Sequence, residues 1–227
     1  MLDQDIQEQL KSAFAQLENT IELVYVDNKH ADQDQLLEML NGIAATSSKI
    51  KVMRSEKIST RNSPEFSISK NGKATGIVFQ GIPGGHEFTS LIIAILNTDG
   101  KGKLPDQKII QRVRALKGPI KIKTVFSLTC ENCPDVVQAL NQMALFHNHF
   151  EHTGLDGQYF QDYLNELGIQ GVPAVVVNDQ VIHSGRINFI DLLTKLEQTF
   201  GIDDSKVSQS TESSDLGEYD VVVIGVS

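Results

Sequence analysis

The chain has 227 residues and a formal net charge of −9, with 20 Lys and Arg against 29 Asp and Glu. This balance argues against a nucleic-acid-binding surface, which needs clustered basic side chains. No apolar run approaches the roughly 20 residues of a membrane helix, and the first residues show no signal-peptide pattern. We therefore expect a cytoplasmic protein that binds neither nucleic acid nor membrane.

The first hundred residues predict a helix, a strand, a helix, a strand, a hairpin and a helix. Apolar periodicity and turn residues place these elements at 4–19, 20–26, 32–40, 50–54, 65–69 with 74–79, and 86–96. The hairpin depends on Asn71-Gly72 between two apolar runs, which is the strongest short hairpin signal.

A polar segment at 98–103 precedes a second series in a similar order. Its predicted elements are helix 105–116, strand 120–128, helices 134–146 and 160–167, strands 174–177 and 181–182, and helix 189–200. Each series closes with a proline-led hairpin, a glycine loop and a helix. An α/β protein of two fused domains follows, at 1–100 and 101–201.

The remaining residues predict no third complete domain. Residues 202–218 are rich in Ser, Asp and Glu, which is typical of a flexible linker. Residues 219–227 predict a buried strand that runs into Gly225. Such a strand before a glycine turn opens a dinucleotide-binding unit. We therefore expect the first strand of a truncated FAD/NAD-binding domain, with no complete cofactor site.

Cys130 and Cys133 are the only cysteines, and they lie between a predicted strand and a predicted helix. Unpaired N–H groups and the macrodipole at a helix start favour a thiolate. A Cys-x-x-Cys pair in this context is typical of a dithiol–disulfide redox centre. Cys130 would be the nucleophile and Cys133 the resolving thiol. Two buried structural cysteines are the alternative interpretation.

Zinc binding is a third interpretation, because His147 and His152 follow the cysteines at nearly a two-Cys, two-His spacing. A continuous helix over 134–146 would hold His147 roughly 20 Å from Cys133, at about 1.5 Å per residue. Zinc ligands must lie within about 2.3 Å of the metal. We therefore predict no metal site, and a solvated helix end at His147, His149 and His152.

Pro173 is a further candidate site residue. Val172-Pro173 introduces the strand 174–177, where a small redox domain carries a cis-proline facing its dithiol. Such a proline leaves backbone groups free to pair with a partner's chain. An ordinary trans proline at a strand start is the alternative, because cis is a minority even among X–Pro bonds.

Three motifs together resemble a family of flavoproteins, the F subunits of alkyl hydroperoxide reductase. They are GIPGGHEFTS at 81–90, SLTCENCPDVVQALN at 127–141 and GVPA at 171–174, and the resemblance to the family's N-terminal part extends along the whole chain. Members reduce a bacterial peroxiredoxin, and peroxide-forming NADH oxidases are close relatives. The resemblance implies two fused thioredoxin-like folds, of which only the second keeps the dithiol.

The resemblance also implies an oxidoreductase that carries electrons. In the family, electrons pass from NADH through FAD to a dithiol of the flavoprotein part, and then to the N-terminal dithiol, here Cys130 and Cys133. That dithiol reduces a peroxiredoxin, which is the C component of alkyl hydroperoxide reductase. The implied partners are thus this peroxiredoxin and the reductase domain of the same longer chain, which holds FAD and NADH. The family places a glutamate near the dithiol, and Glu87 matches it; a first-turn glutamate favoured by the helix dipole is the alternative.

One residue departs from the family pattern. Members usually have His between the cysteines, where this chain has Glu131. A carboxylate beside a thiolate raises the thiol pKa. We hypothesise a dithiol that is less acidic, and more reducing, than the His version. A docking module without electron transfer and a general disulfide reductase or isomerase are the alternative functions.

Overall fold

The structure is a computed structural model that describes residues 3–57, 63–203 and 205–206. Its helices are α1 (Gln4–Phe14), α2 (Gln33–Ala44), α3 (Gly85–Thr98), α4 (Gln107–Arg114), α5 (Cys133–Phe146), α6 (Gln161–Glu166) and α7 (Phe189–Phe200), with a 3-10 turn at Gly157–Tyr159. Its strands are β1 (Ile21–Val26), β2 (Ile50–Arg54), β3 (Glu65–Lys70), β4 (Lys73–Gln80), β5 (Ile120–Phe126), β6 (Phe150–Asp156), β7 (Ala174–Val177) and β8 (Gln180–Ser184). Within these ranges, no helix is long and apolar enough to cross a membrane.

One eight-stranded sheet joins the two halves, in the order β2-β1-β3-β4-β6-β5-β7-β8. In each half the first two strands are parallel and the hairpin strands antiparallel. The halves meet where β4 and β6 pair in parallel, from Ile77 opposite His152 to Gln80 opposite Leu155. The order helix, strand, helix, strand, hairpin and helix is present in both halves, and the second has α6 in addition.

The hairpin turns follow from their residue types. Asn71 and Gly72 connect β3 to β4 with φ values of 50° and 76°. Asn178 and Asp179 connect β7 to β8 with φ values of 49° and 56°. A two-residue hairpin loop needs this left-handed conformation, which Gly, Asn and Asp adopt most readily.

The hydrophobic core is continuous across the halves. Helix α3 of the first half packs beside α5 of the second. Close approach at the seam depends on glycine, because a Cβ on Gly76 would collide with the carbonyl oxygen of Phe150. A Cβ on Gly154 would lie 3.1 Å from the ring of Phe126. The first half is therefore packed directly against the half that carries the dithiol.

The main departure from the predicted elements is β6, a central strand that the sequence pattern does not show. Its sequence, Phe-Glu-His-Thr-Gly-Leu-Asp, is mostly polar or small side chains, which hide the alternation expected of a strand. All of its residues except Glu151 are nevertheless buried. The helix predicted at 4–19 is also shorter and ends at Phe14, and the strand predicted at 120–128 ends at Phe126.

The prediction of a solvated histidine cluster is wrong for two of its three members. His152 is fully buried on β6, where its ring nitrogens contact the Thr124 hydroxyl at 2.9 Å and the Asn141 side-chain oxygen at 2.7 Å. His147 is also buried, with Nε2 at 2.9 Å from the Leu116 carbonyl oxygen. Only His149 is exposed. Burial lowers the pKa of His152 to about 3, so this side chain is neutral.

Most of the predicted linker and all of the predicted nucleotide-binding strand with Gly225 lie outside the described residues. Ile202 still forms a bridge with Leu116, and the amide of Lys117 donates to the Gly201 carbonyl at 3.1 Å. The chain thus stays against the second half as far as residue 203. The boundary between the two domains near residue 100 stays a prediction.

Candidate active site

Cys130 and Cys133 form a disulfide at the start of α5, with their Cα atoms 5.5 Å apart. Cys133 is the first residue of the helix and is fully buried, whereas Cys130 is partly exposed. Pro134 follows at the first turn, where its fixed φ suits the helix and its missing N–H is not needed. Of the two sulfur atoms, that of Cys130 is therefore the one that a partner's sulfur could reach.

Pro173 lies beside the disulfide because β7 pairs with β5. Ala174, the first residue of β7, is opposite Val125 near the end of β5. The Val172–Pro173 bond is cis, as the place of this proline in a redox domain would require. The Sγ of Cys130 lies 3.7 Å from the carbonyl oxygen of Val172. The structure thus brings Cys130, Cys133 and Pro173 together.

The first half supports the loop that precedes the cysteines. The amide of His86 donates to the Leu128 carbonyl at 3.0 Å. Gly85 has a φ of 51°, and a Cβ there would collide with the same carbonyl oxygen. The start of α3 therefore packs directly on the backbone that leads into Cys130. This contact gives a physical reason for the glycine at position 85.

Glu87 lies in the first turn of α3 and is fully buried. One turn later on the same side of α3, the Ser90 hydroxyl accepts a hydrogen bond from Gln138 of α5 at 3.3 Å. Both helices begin at the carboxyl end of the parallel strands β4, β5 and β6, so Glu87 is level with the first turn of α5. Glu87 therefore approaches the dithiol end from the half without cysteines.

The environment of Glu87 favours the protonated acid. Burial raises its pKa to about 7; the nearby Ser90 hydroxyl offsets part of this shift, and the charge of Asp156 adds to it. Neither carboxyl oxygen has a hydrogen bond of good geometry among the described residues, although the Ser90 hydroxyl is close enough to lower the pKa. A buried carboxyl without partners is costly when ionised. Glu87 does lie in the first turn of α3, as the alternative of a glutamate favoured by the helix dipole also requires, and its role near the dithiol stays a prediction.

Asp156, which ends β6 opposite Phe126, is not among the residues predicted from the sequence. Asp156 is 2% exposed, and burial raises its pKa to about 6. Its Oδ1 accepts from the amide of Gln158 at 3.1 Å, but its Oδ2 has no partner among the described residues. An acid at the end of a central strand could have been noticed only if β6 had been recognised.

Glu131, between the cysteines, is exposed. The next charged residue along the chain, Asp135, lies 3.7 Å from the side chain of Arg186, and both are largely exposed. The described residues contain no group of three or more His, Cys, Asp or Glu arranged to hold a metal ion. The site thus combines a disulfide whose first sulfur is accessible with a buried carboxyl in the first turn of α3.

Comparisons with known proteins agree with this geometry. A Thioredoxin domain family model matches residues 120–198. The F subunit of the Staphylococcus epidermidis alkyl hydroperoxide reductase is 38% identical over 225 residues, which is 99% of this chain and 42% of that protein. An NADH dehydrogenase of Bacillus subtilis is 36% identical over the same shares. The chain thus spans less than half the length of these relatives.

Solved structures show the same arrangement of two fused thioredoxin-like folds. The NTD_N/C domain of the alkylhydroperoxide reductase AhpF from Enterococcus faecalis aligns with a TM-score of 0.78 at 28% identity, over 86% of this chain and all of that one. A protein disulfide oxidoreductase from Aeropyrum pernix aligns with a TM-score of 0.76 at 17% identity, over 88% of this chain and 95% of that one. The second likeness shows the fold alone.

Proposed function

We propose that the chain is a dithiol–disulfide electron carrier in peroxide reduction, because it matches the N-terminal thioredoxin-like region of AhpF-type alkyl hydroperoxide reductases. The proposal is supported chiefly by one observation: a disulfide at a helix start whose first sulfur is accessible and whose second is buried. Accessible thiolates at helix N-termini are the reactive ones. The whole protein would work in the cytoplasm.

Electrons would enter from a flavoprotein reductase part of the longer protein. That part would bind FAD and NADH, and the two thioredoxin-like folds would bind neither. Reduction breaks the Cys130–Cys133 bond and leaves two thiols. The Cys130 thiolate then attacks the disulfide of a peroxiredoxin, forming a mixed disulfide and releasing one partner thiolate. Cys133 attacks Cys130, the internal disulfide re-forms, and the second partner thiolate leaves. Two electrons have then moved to the partner.

Two further residues have roles in this proposal. Pro173 holds the Val172 carbonyl beside Cys130, where an incoming backbone could pair with it. Glu87 would accept the proton that Cys133 must lose before it attacks, because Cys133 is buried and solvent cannot readily take the proton. Glu87 is the acid of the first half that reaches the level of the first turn of α5.

Reconstitution tests the function. A dithiol-reducing flavoprotein, NADH, a bacterial peroxiredoxin and peroxide are mixed with this chain, and NADH consumption is followed. We expect the chain to restore consumption, Cys130→Ser to abolish it, and Cys133→Ser to trap a mixed disulfide with the peroxiredoxin. Consumption that is unaffected by Cys130→Ser, with binding to the peroxiredoxin retained, would instead identify a docking module.

A general disulfide reductase is distinguished by its substrates. Equal rates with insulin, oxidised glutathione and the peroxiredoxin would contradict a dedicated carrier. A rate with the peroxiredoxin at least about tenfold above the others would support one, since that ratio corresponds to roughly 1.4 kcal/mol of transition-state discrimination.

A further inference from the structure

Two buried acids near the dithiol are left without full hydrogen bonding, which is unusual for buried carboxyl groups. Both oxygens of Glu87 and the Oδ2 of Asp156 have no partner among the described residues. Asp99, at the other end of the molecule, shows the contrast. Although burial alone would raise its pKa, hydrogen bonds from the amide of Glu18, from Asn19 and from Lys70 lower it to about 2.

Backbone geometry places Asp156 beneath the loop that leads to Glu87. Asp156 follows Leu155, which is opposite Gln80, the last residue of β4. The next residue, Gly81, has a φ of 120°, and a Cβ there would lie 2.6 Å from the Cβ of Asp156. This loop then enters α3, whose first turn carries Glu87. Asp156 is also opposite the last residue of β5, which precedes the cysteine loop.

Among the described residues, the titratable groups beside Asp156 are Tyr159 and Glu87, and His30 lies behind them, against the ring of Tyr159 and with its Nδ1 3.8 Å from the Oδ2 of Asp32. From the 3-10 turn comes Tyr159, whose hydroxyl donates to the Oδ2 of Asp32 at 2.8 Å. Burial first, and then the hydrogen bond to Asp32, raises the pKa of Tyr159 to about 12, with a further contribution from the charge of Asp156. The charge of Asp156 also acts on Glu87 in the first turn of α3. None of the three acids Tyr159, Asp32 and Glu87 can neutralise a negative charge on Asp156.

We propose that Asp156 is a positioning residue for the dithiol: its negative charge makes Glu87 the better acceptor for the Cys133 proton during the resolving step. The inference rests on the proposed function, and it assigns the tuning of that step to a residue of the second half. Two carboxyl groups in one buried site titrate as a coupled pair. A base whose proton affinity lies near that of its target works best near neutral pH.

The step balances without an outside reagent other than the partner. The Cys133 thiol gives its proton to Glu87 and its sulfur attacks the Sγ of Cys130. A Cys130–Cys133 bond forms while the bond from Cys130 to the partner's sulfur breaks. The partner's sulfur leaves as a thiolate with the bonding electron pair, so the dithiol is oxidised and the partner reduced by two electrons in all. Glu87 then releases the proton to the leaving thiolate or to solvent.

The variant Asp156→Asn separates charge from structure. Asparagine keeps an oxygen that can accept from the amide of Gln158, so the cap of the 3-10 turn is retained while the charge is lost. The reduced chain is mixed with oxidised glutathione and quenched with acid at successive times. Mass spectrometry then separates the mixed disulfide at Cys130 from the closed disulfide, and so measures attack and resolution independently.

We expect Asp156→Asn to slow the attack of Cys133 on the mixed disulfide about threefold at neutral pH. When the rate of this step is measured between about pH 5 and pH 9, the acidic limb of the profile should move down by about one pH unit. The rate of the first attack by Cys130 should not change. Glu151→Gln is the matched control, because Glu151 lies on the same strand but is exposed on the opposite face. It should leave both rates and the profile as they are.

Failure of the inference is distinguishable from failure of the proposed function. If the unchanged, reduced chain does not form its disulfide while reducing oxidised glutathione, the electron-carrier proposal fails. If it closes normally but Asp156→Asn and Glu151→Gln have the same profile, only the role of Asp156 is overturned.

A second measurement covers an Asp156→Asn variant that does not fold. Carbon-13 NMR of the side-chain carboxyls of the unchanged, reduced chain should show Glu87 and Asp156 titrating together, each responding at the other's midpoint. Two independent titrations would overturn the proposal.

Discussion

The strand-to-helix turns after β1 and β5 have the same backbone hydrogen bond beside them but different side chains within them. In both halves the glycine after the hairpin donates its amide to the carbonyl of the hairpin's leading proline, from Gly81 to Pro64 and from Gly185 to Pro173, each at 2.8 Å. The residue before each proline then faces the turn. Its carbonyl accepts from the Asn28 side chain at 2.9 Å in the first half, and lies near the Sγ of the first cysteine in the second.

The two helix starts differ in the same way. Gln33 begins α2 and is buried, with its Nε2 donating to the Val26 carbonyl at 3.3 Å. Cys133 begins α5 and is buried in a disulfide. The start of α2 is therefore held by an amide hydrogen bond, and the start of α5 by a disulfide bond that a thiolate can break. The first half contributes support and a buried acid, whereas the second contributes the sulfur atoms.

The strongest test of this comparison is whether the halves are stable only together. Gly76→Ala puts a Cβ into the Phe150 carbonyl across the seam, at a φ of 84°. Gly72→Ala has a similar φ of 76° but open space, so it is the matched control. We expect losses of unfolding free energy of about 3 kcal/mol or more for Gly76→Ala and about 1 kcal/mol for Gly72→Ala.

Chemical denaturation followed by circular dichroism measures both losses. A single transition in which Gly76→Ala lowers the midpoint for the whole chain agrees with one cooperative unit. Equal losses for the two variants, or a Gly76→Ala protein that loses only the first half, would break the comparison.

Glu87→Gln tests whether ionisation of the buried Glu87 carboxyl in the first half lowers the unfolding free energy. The pKa of Glu87 is raised, so the folded state binds a proton more tightly than the unfolded state. This contribution to stability is present below about pH 4.5 and is lost as the pH rises through about 7. In the variant this decrease in unfolding free energy with rising pH is absent. Between pH 4 and pH 8 we therefore expect the unfolding free energy of the variant to rise by on the order of 2 to 3 kcal/mol relative to that of the unchanged chain.

Denaturation at a series of pH values provides the measurement. Glu151→Gln is the control here as well, because it removes an exposed carboxyl by the same change of residue. Parallel stability curves for Glu87→Gln and the unchanged chain would show that Glu87 does not titrate as a buried acid.

His152→Val compares the third position of β6 with that of β2, where the first half has Val52 opposite Leu23. The pKa of His152 is lowered to about 3, so the unfolded state binds its proton first. Stability is complete above about pH 6.5 and falls as the pH drops towards 3. We expect the difference in unfolding free energy between pH 7 and pH 5 to shrink by about 2 kcal/mol in the variant.

The slope with pH is the measured quantity, because the variant also leaves Asn141 and Thr124 without their partner. An unaltered slope for His152→Val would show that His152 is not held neutral in the fold.

Glu131→His restores the residue that the family usually has between the cysteines, and it has the smallest expected effect. Glu131 is exposed, so solvent screens its charge. We expect the midpoint of the Cys130 thiolate absorbance to fall by less than about one pH unit in the variant. Identical midpoints would contradict the hypothesis that Glu131 makes the dithiol more reducing.

Several parts of the fold follow from local chemistry that the sequence displays. Asn71-Gly72 needs a left-handed turn, and the hairpin is found there. Proline after Cys133 suits the first turn of a helix, and α5 begins at that point. Both are decided by neighbouring residues, so they are visible without knowing what packs against them. The cysteine pair is recognisable for the same reason.

What could not be predicted depends on contacts between distant segments. Strand β6 is central because β4 and β5 pair with it on both sides, although its own residues are mixed in polarity. The neutral state of His152 and the burial of Asp156 both follow from that position. Glu87 has an ordinary first-turn pattern in sequence, and only the packing of α3 beside α5 distinguishes it.

The seam between β4 and β6 has a consequence for assembly. By topology β8 corresponds to β4 and β2 to β6, so the two outer edges of the described sheet are the same kinds of edge that join inside the chain. The topology by itself would therefore allow β8 to pair with the β2 strand of another copy in the way that β4 pairs with β6. The outer strands carry exposed Lys51 and Arg54 on one edge and exposed Gln180 and Ser184 on the other. Charged and polar side chains disfavour the pairing of a sheet edge with another chain, whereas Met53 and Val181 on the same two strands are exposed and apolar, so each outer edge combines both kinds of side chain.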